Sequence, residues 1–351
     1  MIDRNKLGAS ALEVPRICFG TMTFAAQNDE RDAHALLDCA FERGVDFVDT
    51  AEVYPLPVQA DTYGRTEEIV GAWLKTRARD RVIVATKVAG PGRGMDWPRT
   101  GARAGLAALS KRDVVLACEG SLKRLGTDYI DLYQVHWPAR NVPLFGAGAF
   151  DPANERESAS VHEQLEAMDQ LVRDGKVRHV GVSNETAWGL VEHTRIARRY
   201  GLPRIASTQN IYNLMSREYE QAAAEAGFRE RVGLLVYSPL AFGYLTGKYR
   251  GGARPEGSRI ARYGERWPRY TKPAMAEAVE RYCAIAQRHG LTPTQLALSF
   301  VYHRACVAST IIGATTLAQL NECLDAWDVR LPAQALAEID AVHAALPNPA
   351  P

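Results

Sequence analysis

Short apolar runs alternate with helix-period segments along this chain. The runs are RICFGTM (16–22), VDFVDT (45–50), RVIVATK (81–87), YIDLYQVHW (129–137), VRHVGVSN (177–184), RIASTQN (204–210), GLLVYS (233–238) and ASTIIGA (308–314). Near-continuous β-branched runs of this length mark parallel strands buried on both faces. The segments between them predict helices. In ERDAHALLDCAFERG, Ala33, Leu36, Leu37 and Ala40 share one face, and Gly44 follows as a stop. In SVHEQLEAMDQLVRDG, Ser160 followed three residues later by Glu163 predicts a capping box, and Gly175 closes the helix. This alternation favours an α/β fold of the closed (β/α)8 barrel type, with an open doubly wound sheet as the alternative. KLGASALEVP reads as an N-terminal β-hairpin and PAQALAEIDAVHAAL as an extra C-terminal helix. No Pro/Gly/Ser-rich linker divides the sequence, so 1–351 is expected to form a single barrel domain with long loops.

Charge and cysteine content narrow the setting. The 42 basic and 41 acidic residues give a net charge of +1, which supplies no electrostatic reason to expect nucleic acid or an anionic membrane as partner. No apolar run approaches the roughly 20 residues of a membrane span, and MIDRNKLGAS lacks the apolar core of a signal peptide. The cysteines at 18, 39, 118, 283, 306 and 323 are scattered without a CxxC pair. They are expected as reduced, mostly buried thiols of a cytoplasmic protein. The histidines show no metal-binding spacing, so no metal is expected.

The candidate chemistry lies where the runs end. In a barrel the active site is built at the C-terminal face, from residues where strands finish. Those positions hold Asp49, Lys87, His136, Ser183, Asn184, Gln209, Tyr237 and Ser238, with Tyr54 five residues beyond Asp49. Any one polar strand end is commonly a turn former or a helix cap. An acid, a lysine, a histidine and an amide at successive ends are harder to treat that way. A phenol with an ordinary pKa of about 10 is a poor acid at neutral pH. A nearby ammonium stabilises the phenolate and lowers that value, and a carboxylate fixes the ammonium. Such a set suits protonation of a carbonyl oxygen while hydride attacks the carbon. No side chain supplies hydride, so a nicotinamide cofactor is implied.

GTM (20–22), DTAEVY (49–54), ATK (85–87), LYQVHWP (132–138), GVSN (181–184), QN (209–210), YSPLAFGYLTGKY (237–249) and IIGATTLAQLNE (311–322) together resemble the aldo-keto reductase superfamily, in order and across nearly the whole chain. GTMTFAAQN, SLKRLGTDYIDLYQVHWP and GVSNET resemble its bacterial Tas-like branch. The resemblance implies a catalytic tetrad of Asp49, Tyr54, Lys87 and His136, with Tyr54 as proton donor. It implies NADP(H) held by Gly20, Thr21, Met22 and Asp49 near the ribose, and by Ser183, Asn184 and Gln209 at the nicotinamide amide. Tyr237 would stack on the nicotinamide ring. Ser238, Leu240 and Gly243 would follow the pyrophosphate, while Lys248, Arg259, Gly313, Thr315, Gln319 and Glu322 would surround the adenosine end and its phosphate. The implied substrate is a small-molecule carbonyl compound, with Trp137 a candidate contact. Oligomeric state has no signature in the sequence.

The sequence also departs from the family pattern. The link from the catalytic Tyr to G-x-x-E-E is stretched to PLPVQADTYGRTEE, so Tyr63 competes with Tyr54 as the acid; the offset from Asp49 favours Tyr54. Cys323 stands where relatives often carry Asn, and 138–160 is a long insertion expected on the substrate side. GPGRGM has Met95 in place of the third Gly of GxGxxG, GVSNE fails GxSxG, and HEQLE lacks the second His of HExxH, leaving His162 a solvated helix residue. Trp97, Trp188, Trp267 and Trp327 are expected to serve packing. The alternative function is an NADP(H)-binding regulatory or interaction module with slow or incidental turnover.

Overall fold

The computed structural model describes residues 2–92, 95, 109–146, 148–264, 266 and 268–351. Each apolar run forms one strand of a closed parallel barrel: β3 (Ile17–Gly20), β4 (Phe47–Asp49), β5 (Ile83–Val88), β6 (Ile130–Val135), β7 (Val177–Ser183), β8 (Ile205–Ile211), β9 (Gly233–Tyr237) and β10 (Val307–Ile312). Neighbours in sequence are neighbours in the sheet, and β10 closes it by pairing with β9 and with β3, Ile17 opposite Thr310. The open-sheet alternative is excluded.

The apolar runs conceal two faces, because successive strand residues point to opposite sides. Cys18, Phe47, Ala85, Leu132 and Leu235 pack together inside the barrel. Ile17, Val48, Val84, Tyr133 and Val236 join the larger cluster that packs sheet against helices. Two residues after each inward apolar side chain, on the same face, stand Gly20, Asp49, Lys87, Gln134 and Tyr237. His136 follows Gln134 at the same period. The strands therefore turn from apolar to polar on one face as they rise toward the C-terminal mouth, and they bring these groups together.

The other end is closed by the hairpin of β1 (Arg4–Lys6) and β2 (Glu13–Pro15), which begins two residues earlier than the sequence suggested. Leu7 and Val14 join the interior cluster as a plug. Gly8 is required in its turn: its φ is +59°, and a Cβ there would lie 2.4 Å from the Ala206 carbonyl and 2.5 Å from that of Arg231.

The predicted helices form at Glu30–Glu42, with Asp29 as N-cap, and at Val161–Arg173, with Ser160 as N-cap. Gly44 and Gly175 follow them in left-handed conformation. The expected capping box is only half made. Ser160 Oγ accepts from the Glu163 amide, but the Glu163 carboxylate accepts from the amide of Lys111 at 3.1 Å instead. The C-terminal helix spans Ala333–Ala345 and packs beside Pro273–Arg288. Beyond it, Ala350 donates to the Met215 carbonyl at 3.1 Å, drawing the tail across the barrel near the loop after β8.

Trp327 packs on Tyr302 and His303 as expected. Trp188 does not pack in the core: it is 59% exposed, with the Arg140 guanidinium 4.7 Å above its ring. Trp97 and Trp267 lie outside the described residues, as do two residues of GPGRGM. His162 stacks on Tyr200 with ring centroids 4.1 Å apart. Among the described residues, no helix is long and apolar enough to cross a membrane, and no group of His, Cys, Asp and Glu could hold a metal ion. None of the six cysteines is in a disulfide.

Candidate active site

Lys87 is the centre of the mouth. Its side chain has no exposed surface, and its ammonium donates to Asp49 Oδ2 at 2.6 Å and to the Thr50 carbonyl at 2.7 Å. The other oxygen of Asp49 accepts from Gln209 Nε2 at 2.8 Å, and Gln134 Nε2 lies 3.5 Å away. The Asp49 carbonyl accepts from both the amide and the hydroxyl of Thr21, at 3.0 and 2.9 Å. Burial pulls the Lys87 ammonium down, but Asp49 and then Tyr54 outweigh it and hold its pKa above the ordinary value.

Tyr54 is buried above this pair, with the Lys87 ammonium 5.1 Å from the centre of its ring. Its phenol pKa is raised. Burial is the largest cause, and the opposing pull of Lys87 offsets only part of it. The lowered value expected from an adjacent ammonium is therefore not the net outcome here, because desolvation outweighs the charge. His136 meets Tyr54 edge-on at 5.7 Å. Trp137, 3% exposed, lies 5.0 Å from His136, donates its indole N–H to the Pro91 carbonyl, and meets Phe145 of the 138–160 insertion at 6.4 Å. Asp49, Tyr54, Lys87 and His136 are thus brought to one place.

The competing tyrosine is placed elsewhere. Tyr63 donates to Glu52 Oε2 at 2.6 Å, and Glu52 Oε1 accepts from the Ala89 amide at 2.6 Å. The Arg124 guanidinium sits 5.1 Å from the Tyr63 ring and donates to Glu67, which also accepts from Thr86. Glu52 and Glu67 are fully buried. Tyr63 belongs to a polar network that ties the 50–54 loop to Ala89, the residue just after β5.

On the opposite side of the mouth, Ser183 donates to the Gln209 carbonyl at 2.7 Å. The Asn184 side chain donates to the His136 carbonyl at 2.9 Å and accepts from the Tyr237 hydroxyl at 2.8 Å. Gly20 and Gly313 face each other across β3 and β10, and a Cβ on Gly313 would meet only the Gly20 carbonyl, at 3.9 Å. Met22 packs with Tyr54 at the rim. Ser238 receives Asn213 Nδ2 and the Ala241 amide on its carbonyl, and the Leu240 carbonyl accepts from Gly243. The Lys248 ammonium would lie 3.0 Å from a Cβ on Gly243, and the Arg259 guanidinium lies 4.2 Å from the Phe242 ring centre. Burial lowers the pKa of Arg259, and the phenols of Tyr270, Tyr249, Tyr263 and Tyr54 partly oppose it. Gln319 accepts from both the amide and the hydroxyl of Thr315, and Glu322 accepts from Thr292. Cys323 is buried, its thiol pushed up to about 12 by burial.

Several contributors had no sequence motif to announce them. Gln134 beside Asp49 was detectable from its two-residue spacing to His136. Thr23 and Asn28 tie the loop after β3 to the Thr315 carbonyl. Four non-glycine residues at the mouth, Asn184, Ser238, Ala241 and Phe242, hold positive φ between 47° and 57°. Each such conformation costs on the order of 1–3 kcal/mol and clusters at functional sites.

The Tyr63 network yields a test. Tyr63→Phe should lower stability by about 1–3 kcal/mol, because buried Glu52 loses a donor, while Tyr54 stays in place. Chemical denaturation measures the first part. A loss of activity as deep as that of Tyr54→Phe, with stability unchanged, would show instead that Tyr63 acts at the site.

The sequence profile described as the aldo/keto reductase family matches residues 16–344. The chain is 44% identical to "Protein tas" of Escherichia coli (strain K12) over 348 residues, 99% of each chain. It is 31% identical to "Uncharacterized oxidoreductase YrpG" of Bacillus subtilis (strain 168), over 93% of this chain and 91% of that one. It is also 31% identical to "Probable voltage-gated potassium channel subunit beta" of Arabidopsis thaliana, over 92% of this chain and 90% of that one. This barrel, with its strand-end Asp49, Lys87 and His136 and its bacterial Tas-like sequence, belongs to the aldo/keto reductase family, whose members generally use NAD(P)H and which supports an oxidoreductase role.

Proposed function

We propose that this protein is an NADPH-dependent reductase that converts aldehydes and ketones to alcohols, with Tyr54 as the proton donor. The observation that carries the proposal is the buried Lys87 ammonium, held by Asp49 and lying 5.1 Å from the Tyr54 ring, with His136 at the ring's edge.

The chain's groups fit a nicotinamide dinucleotide. The open space at Gly313, where a Cβ would meet nothing nearer than the Gly20 carbonyl at 3.9 Å, lets a ligand approach backbone closely. With its amide nitrogen committed to Asp49, Gln209 can offer its oxygen to a carboxamide. The strained 238–243 turn carries Lys248 and Arg259 beside it, a cationic surround suited to phosphate. Bound NADPH supplies hydride to the carbonyl carbon.

The chain's own residues do the rest. His136 orients the carbonyl oxygen toward Tyr54. As charge develops on that oxygen, Tyr54 transfers its phenolic proton to it, giving the alcohol. Lys87 stabilises the phenolate left behind, and Asp49 keeps the ammonium charged and in place. The raised pKa of the Tyr54 phenol serves this direction of reaction, since the acid stays protonated throughout the neutral range.

The second reading is a nicotinamide-binding regulatory module. It is prompted by the relative named as a potassium channel subunit. Steady NADPH oxidation with small aldehydes favours the reductase, and binding without turnover favours the module.

Tyr54→Phe keeps the ring and removes the proton. Carbonyl reduction should fall by at least about 10²–10⁴-fold, with NADPH binding retained. The wild-type rate should be level through neutral pH and decline only above the ordinary phenol pKa, as Tyr54 loses its proton; steady-state rates across pH read both outcomes. For the cofactor, a charge-assisted bond contributes roughly 1.5–3 kcal/mol, so Arg259→Ala should weaken NADPH binding by about an order of magnitude or more. NADH binding should change far less, because NADH lacks the 2′-phosphate. Fluorescence titration of both cofactors measures this, and equal losses would assign Arg259 to supporting the loop.

A further inference from the structure

Arg269 is a buried cation that the proposed reaction leaves unused. It is 8% exposed, and its Nε is buried without a hydrogen-bond partner among the described residues. Among the described residues, the groups acting most strongly on its charge are the phenols of Tyr237 and Tyr270, both hydrogen-bonded to the guanidinium. Burial alone would pull its pKa down, and the two phenols hold it above the ordinary value. A charge buried without an anion is costly unless something else supplies the anion.

Its position points to the substrate. A Cβ on Gly146 would lie 3.2 Å from both Arg269 Cβ and the Pro351 carbonyl, so Arg269 sits where the 138–160 insertion meets the chain's last residues. Phe145, adjacent to Gly146, packs on Trp137, and Trp137 flanks His136. By a second route, Tyr237 bonds Asn184, which bonds the His136 carbonyl. Both routes end at the group proposed to orient the carbonyl.

We propose that Arg269 receives a carboxylate carried by the substrate, so that the protein selects carbonyl compounds bearing an acidic group. This rests on the reductase reading for turnover, but not for binding. The planar guanidinium suits a carboxylate better than an ammonium would, because it offers a two-pronged donor.

The test uses the full chain saturated with NADPH, and compares para-carboxybenzaldehyde with benzaldehyde in wild type, Arg269→Gln and Arg269→Lys. Wild type should prefer the carboxylated aldehyde. Arg269→Gln should raise KM for that substrate by about tenfold or more, as expected for losing a charge-assisted bond. Its kcat, both constants for benzaldehyde and NADPH affinity should be unchanged, and Arg269→Lys should restore part of the preference. Equal losses for the two aldehydes would overturn the proposal by making Arg269 a packing residue. A loss confined to NADPH affinity would overturn it by assigning the arginine to the cofactor's pyrophosphate. If neither aldehyde turns over, calorimetric titration of benzoate into the NADP-loaded protein decides separately. Binding that Arg269→Gln abolishes supports the carboxylate site, and no binding to wild type contradicts it.

Discussion

The mouth of this barrel is organised around one buried ion pair, Lys87 with Asp49. Removing both charges from water costs several kcal/mol per ion, and the pair persists only if every remaining donor and acceptor is satisfied. Here Thr50 takes a second ammonium proton, and Gln209 caps the other carboxylate oxygen. Thr21 fixes the Asp49 backbone. Four strands thereby meet at one charge pair. Replacing a buried ion pair by well-packed apolar residues is often neutral or stabilising, so the pair is better explained by what it does to the phenol above it. Lys87 supplies the one strong influence that lowers the Tyr54 pKa against burial.

Much of this was legible in the sequence because a parallel strand has a fixed period. Once GVDFVDT and RVIVATK are taken as strands, Phe47 and Asp49 share a face, as do Ala85 and Lys87, and barrel closure makes those faces converge. The helices were legible for a similar reason, since Ser160, Gly44 and Gly175 carry local capping preferences that tertiary packing did not override.

What escaped the sequence depended on contacts between segments far apart in the chain. Glu163 left its capping box for an amide on the neighbouring helix start. The direction of the Tyr54 shift could not be read from residue types, because it turns on how much water the loops exclude. The offset from Asp49 favoured Tyr54 over Tyr63, but the place of Tyr63 in a network with Glu52 and the Ala89 amide depended on tertiary contacts. Arg269 has no motif; its role follows from being buried beside Tyr237 and Gly146.

The claim that Lys87 acts through the Tyr54 phenol is tested most directly by single-turnover hydride transfer in Lys87→Met, followed across pH with NADPH already bound. The rate should fall by about 10²-fold or more, as for losing an acid–base group's support, with NADPH affinity unchanged. The alkaline limb of the residual rate should move to higher pH, because the influence that lowers the phenol is gone. A near wild-type rate with an unmoved pH profile would contradict the account.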